Sequence, residues 1–150
     1  MSRTNKPQPS QLTQEQAEQQ LNQLVGEIRI LEAYYNELVA KIQTASAGIS
    51  DARSSRESID TLMKNPNGEF LLPLGSGLLL PANGLNAKTV VVNVGAGVAI
   101  ERDFDTAKAF LMTREKELET ALNSLEQQRR EIGSRLDAGR SLLQQITGQN

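Results

Sequence analysis

Between Ser10 and Lys64 no proline interrupts the chain, and apolar residues return at every seventh position. One row carries Leu21, Ile28, Tyr35, Ile42, Ile49 and Met63; a second, offset by three, carries Leu24, Leu31, Leu38, Ala45, Ala52 and Ile59. Only Arg56 breaks the pattern. A two-row stripe is the seam of a coiled coil, narrower than the face a helix turns toward a globular core. The spacing therefore predicts one helix over about 10–64. Pro9-Ser10 marks its start, with Thr13 and Gln16 at capping-box spacing, and Asn65-Pro66-Asn67-Gly68 stops it.

Such a helix needs one slender partner, and the last third of the chain supplies it. Asp103 can cap a second helix over about 103–147, whose seam runs through Leu111, Leu118, Leu122, Leu125, Ile132, Leu136, Leu143 and Ile146. Arg129 and Gly139 are its weak points. Similar length and a compact connection predict that the two helices fold back antiparallel; parallel pairing with another chain is the alternative. The seam arginines Arg56 and Arg129 are expected to snorkel outward or to pair with carboxylates such as Glu115 or Glu37. Glu115, Glu117 and Glu119 otherwise read as a solvated helix face.

The connection differs in kind. It holds four β-rich runs, Phe70 to Leu74, Leu78 to Ala82, Thr89 to Val94 and Val98 to Glu101. Gly75-Ser76-Gly77 and Gly95-Ala96-Gly97 separate the members of each pair, so Gly75, Gly77, Gly95 and Gly97 are the expected turn residues of two successive hairpins. Asn83-Gly84 and Asn86 break the chain between them. Leu78-Leu79-Leu80 and Val90-Val91-Val92 are apolar on successive residues, so both faces of those strands require cover that one helix pair cannot give. Unpaired strand edges add to that demand. Oligomerisation through Leu72, Leu74, Leu78, Leu80, Val90, Val91, Val92, Val98 and Ile100 follows. The expected fold class is α+β, mainly α: a long antiparallel two-helix coiled coil with two central β-hairpins that build an oligomeric β-barrel.

Composition narrows the function classes. The absence of His and Cys removes the commonest general base, thiolate metal sites and disulfides, and no carboxylate pair stands in a fixed constellation, so no enzyme, metal or cofactor is expected. Sixteen basic residues against 18 acidic ones, with no basic block, give no footprint for nucleic acid or an anionic membrane. The polar Met1 to Pro9 lacks a signal-like apolar core, and no stretch approaches the ~20 apolar residues that span a bilayer; a flexible tail over 1–9 and a cytoplasmic location are the expectation. Val94-Gly95-Ala96-Gly97 after a Val-rich strand resembles part of a dinucleotide fingerprint. Ile100 replaces the third glycine, however, and no helix opens at the glycines.

Phe70-Leu71-Leu72-Pro73-Leu74-Gly75-Ser76-Gly77, followed by Val90-Val91-Val92-Asn93-Val94-Gly95-Ala96-Gly97-Val98-Ala99-Ile100-Glu101-Arg102-Asp103, resembles the central signature of prefoldin alpha subunits, archaeal or eukaryotic prefoldin-5-like. The likeness covers the whole helix–hairpins–helix layout as one domain over 1–150, and two hairpins instead of one favour the alpha over the beta class. It implies a hexamer of two alpha and four beta subunits with a double β-barrel body. It also implies a chaperone without nucleotide hydrolysis, which holds unfolded client proteins at coiled-coil ends and hands them to a group II chaperonin. In an antiparallel fold-back, Leu12, Leu21, Leu24, Val25, Leu142, Leu143 and Ile146 gather at the end remote from the hairpins and are the candidate client contacts. A structural scaffold or tether is the alternative that heptads alone would allow.

Overall fold

The computed structural model describes the backbone over residues 9–83 and 87–148, and side chains over 15–83 and 87–148. In chain order the elements are α1 (Pro9–Lys64), β1 (Glu69–Gly75), β2 (Leu78–Asn83), β3 (Thr89–Gly95), β4 (Val98–Asp103) and α2 (Phe104–Thr147). Helix α1 starts at Pro9, where a missing N–H costs nothing. Thr13 therefore lies inside the helix instead of capping it. At the other end the Asn65 N–H bonds back to the Thr61 carbonyl, and Gly68 N–H to that of Asn65, closing the helix ahead of the hairpins. Helix α2 is capped as its sequence predicts: Asp103 Oδ1 accepts the Thr106 N–H at 2.8 Å and Oδ2 its hydroxyl at 2.7 Å.

The chain divides into two compact units, Met1–Ile42 with Asn123–Asn150, and Gln43–Leu122. In the first, α1 and α2 run antiparallel around a core of Ile28, Leu38, Ile132 and Leu136, onto which Leu24, Leu31, Tyr35, Leu125 and Leu143 pack. Two α2 glycines face large side chains across this seam. A Cβ on Gly133 would lie 3.4 Å from the Tyr35 ring, and one on Gly139 would lie 3.2 Å from Ile28. The sequence marks Gly139 as a weak point, yet it makes room for Ile28. Arg129 does not reach Glu37, which pairs with Lys41 at 2.6 Å. Its Nη1 instead donates to the Tyr35 hydroxyl at 3.5 Å, because the ring that fills the Gly133 gap brings its oxygen to that side. Tyr34 donates to Gln128 Oε1 at 3.0 Å, and Arg140 Nη2 to Glu32 at 2.7 Å.

In the second unit the seam is lined by Ala45, Ile49, Ala52, Ile59 and Ala107, the last fully buried although no heptad row singles it out. Met63, expected in the seam, is exposed, because the final turn of α1 gives Leu62 to a groove shared with Ile59, Val92 and Phe110. Glu115 takes the pairing expected with Arg56 and departs from the solvated face expected of it. It is only 8% exposed, and Oε1 accepts from Arg53 Nε at 3.0 Å and Nη2 at 2.7 Å, while Arg56 Nη1 lies 3.4 Å from Oε2. A buried carboxylate survives only when opposite charge meets it, and two guanidinium groups do so here. One heptad on, Lys108 donates to Asp60.

These contacts set an acid limit. Hydrogen bonds from Thr106 hold the Asp103 carboxyl below the usual aspartate range, and Lys108 does the same for Asp60. A carboxyl depressed in the folded state adds stability that is complete above its unfolded pKa and disappears as pH falls through the folded one. Melting followed by far-UV circular dichroism should therefore show stability falling below about pH 4. Asp103→Asn, which keeps a cap but cannot titrate, should flatten part of that decline. An unchanged acid slope would exclude the cap as a contributor.

Candidate interaction surfaces

Each hairpin closes through a two-residue turn with both φ angles positive, Ser76 (50°) with Gly77 (79°) and Ala96 (50°) with Gly97 (75°). That mirror-image geometry matches the twist of paired strands. Gly75 (96°) and Gly95 (107°) sit just ahead, at irregularities that shift the register after Pro73 and Asn93. All four glycines named as turn residues thus occupy positive φ. Asn83 closes β2; Gly84 and Asn86 lie outside the described residues.

Register decides which face each candidate shares. In the first hairpin Leu72 pairs with Leu80 and Phe70 with Ala82, so these four share one face, while Leu71, Pro73, Leu79 and Pro81 share the other. Leu72, Leu74, Leu78 and Leu80 are all exposed, as are Leu71 and Leu79. In the second hairpin Val92 pairs with Ile100 and Val90 with Arg102. Val90, Val92 and Ile100 are half-buried, and the two valines line the groove with Ile59 and Phe110. Val91, opposite Glu101 on the other face, is 72% exposed, and Val98 is exposed near the turn. Isolated exposed apolar residues are ordinary. Ribbons apolar on both faces are not.

The candidates on the helix ends divide differently. Leu24 and Leu143 pack onto the core of the first unit, and Leu21 and Val25 are half-buried. Leu142 (48%) and Ile146 (42%) are exposed, so Ile146 leaves the seam in which its spacing placed it. The Leu12 side chain lies outside the described residues. Phe110 and Met112 are also exposed in the second unit, and the heptad pattern does not single them out. They flank the seam residue Leu111, and being off the heptad rows was their available signal. Among the described residues no helix is long and apolar enough to cross a membrane, and no cluster of acidic side chains could hold a metal ion.

The model of the prefoldin subunit family matches residues 31–149. The prefoldin alpha subunit of Nitrosopumilus maritimus is 33% identical over 135 residues, which cover 90% of each chain. The chain belongs to the prefoldin family, in its alpha-subunit class. A second prefoldin alpha subunit, from Pyrococcus horikoshii, is 28% identical over 81% of this chain and 83% of that one. Among solved structures, that of filamentous PFD from Methanocaldococcus jannaschii superposes with a TM-score of 0.63 at 25% identity, covering 74% of this chain and 93% of the other. The prefoldin beta subunit of Thermococcus strain KS-1 has a TM-score of 0.57 at 17% identity, covering 84% and 90%, and so shares the fold. In this prefoldin subunit the glycine-flanked signature overlaps the exposed ribbons: Leu71, Leu72, Leu74, Val91, Val94 and Val98 carry the resemblance and lie uncovered in the lone chain.

Proposed function

We propose that this chain is the alpha subunit of an ATP-independent holdase, a hexamer of two alpha and four beta subunits that keeps unfolded client proteins from aggregating and passes them to a group II chaperonin. The observation that carries the assembly half of this proposal is the first hairpin, whose two faces both present leucines to solvent. Strands from neighbouring subunits, closing a β-barrel, would cover those faces and pair the edges together. For the client half, the exposed Leu142 and Ile146 offer apolar surface on helices whose neighbouring turns are anchored by Leu24 and Leu143. Each such side chain contributes on the order of 1.5–3 kcal/mol when fully buried. One helix pair would bind weakly, and several on one body would bind by effective concentration.

Co-expression with beta-type subunits followed by native mass measurement tests this. The expected species contains two copies of this chain and four partners; a lone monomer beside its partners would refute it. A second reading is favoured by one finding, the filamentous state of the Methanocaldococcus PFD: an open polymer acting as a scaffold. Its mass would rise with concentration instead of stopping at six subunits.

A further inference from the structure

A strict heptad seam does not fix its own register. Sliding one helix by seven residues returns every apolar row to an equivalent position, so something aperiodic must choose the alignment. In the second unit the apolar contacts choose poorly. The buried seam residues there include Ala45, Ala52 and Ala107, and the one close shape match sets Leu118 at 3.0 Å from where a Cβ on Gly48 would stand. A slip of one heptad puts Leu111, an identical residue, in that place.

We propose that a two-rung charge code fixes the helix register here: Arg53 and Asp60 on α1 against Glu115 and Lys108 on α2, opposite in sign and one heptad apart. The native alignment makes both rungs attractive, Arg53 with Glu115 at 2.7 Å and Asp60 with Lys108. A slip in one direction carries Asp60 to Glu115, two carboxylates, one of them buried. In the other direction Arg53, with Arg56 beside it, meets Lys108. Either error places like charges face to face. Arg53 is half-exposed, as is Glu119, which lies 3.7 Å from it. Such pairs add little to stability, whereas their misalignment is penalised, which is how specificity against a competing state is built. The code does not depend on the identity of any partner.

The chain has no cysteine, so engineered pairs report register without background. In the full-length chain Gly48→Cys with Leu118→Cys should cross-link readily, and Gly48→Cys with Leu111→Cys slowly. Exchanging the outer rung, Asp60→Lys with Lys108→Asp, keeps a native ion pair but makes each helix uniform in sign, so the slipped alignment becomes attractive too. The slipped pair should then cross-link about tenfold faster than in the parent, with Asp60→Asn and Lys108→Gln giving an intermediate rate. Equal rates in parent and exchanged chains would overturn the proposal and leave the hairpin tether and the fit of Tyr35 and Ile28 against Gly133 and Gly139 as the devices that set register. Circular dichroism confirms that each variant stays helical. Should the exchanged chain unfold, the neutral variant decides alone: a slipped rate no higher than the parent's is equally fatal.

Discussion

Val91→Lys should leave both helices intact and abolish assembly. Val91 is the most exposed of the strand valines, and its neighbours on that face, Thr89, Asn93, Ala99 and Glu101, are small or polar enough to admit a strand packed against them. Covering one valine contributes about 1.5–3 kcal/mol at each interface. A lysine there forfeits that and must desolvate an ammonium, a cost that Glu101 on the paired strand offsets only in part. Because the loss recurs at every copy in a closed assembly, the complex should weaken by at least about a hundredfold. Sedimentation of the variant with beta-type subunits reads the result directly, and an undiminished complex would remove this face from the interface. Circular dichroism should be unchanged, since Val91 contributes little to the fold of the isolated chain.

The second large effect belongs to the helix ends. Leu142→Ser with Ile146→Ser removes the two most exposed candidate side chains among the described residues of the first unit while leaving the packed Leu24 and Leu143 in place. Melting should shift little, because half-exposed residues have little burial to lose. Suppression of aggregation of a denatured client should fall about tenfold or more, since two apolar contacts of roughly 1–2 kcal/mol are lost at every alpha subunit. Full protection by the variant complex would show that clients are held elsewhere. Deleting Met1 to Leu24 and Leu142 to Asn150 together is a blunter version, because it also strips Leu24 and Leu143 from the core.

Much of this architecture is legible in the sequence because it rests on periodicity and turn chemistry. The heptad rows locate both helices, Asp103 and Pro9 bracket them, and the paired glycines mark turns whose φ angles L-residues seldom adopt. What periodicity cannot supply is what happens across the seam. Glu115 is legible as a partner for Arg56, but not as the buried centre on which Arg53 also converges, because Arg53 is off the apolar rows altogether. Ala107 gives no signal because a small residue carries little hydrophobic weight, yet it is buried where the helices come close. Among the interface candidates, alternation sets Val91 on the face opposite Val90 and Val92 but does not say which face the helices cover. The structure half-buries Val90 and Val92 and leaves Val91 72% exposed.

The two tyrosines stand side by side on α1, one bonded to Gln128 and the other set over Gly133, and the chain has no tryptophan. Tyrosine emission from this subunit therefore originates at a single place in the first unit, while the second unit carries only the far weaker emitters Phe70, Phe104 and Phe110. A change in tyrosine emission on adding a denaturant or a ligand without aromatic emission reports the surroundings of that one pair, which makes the chain its own localised optical probe.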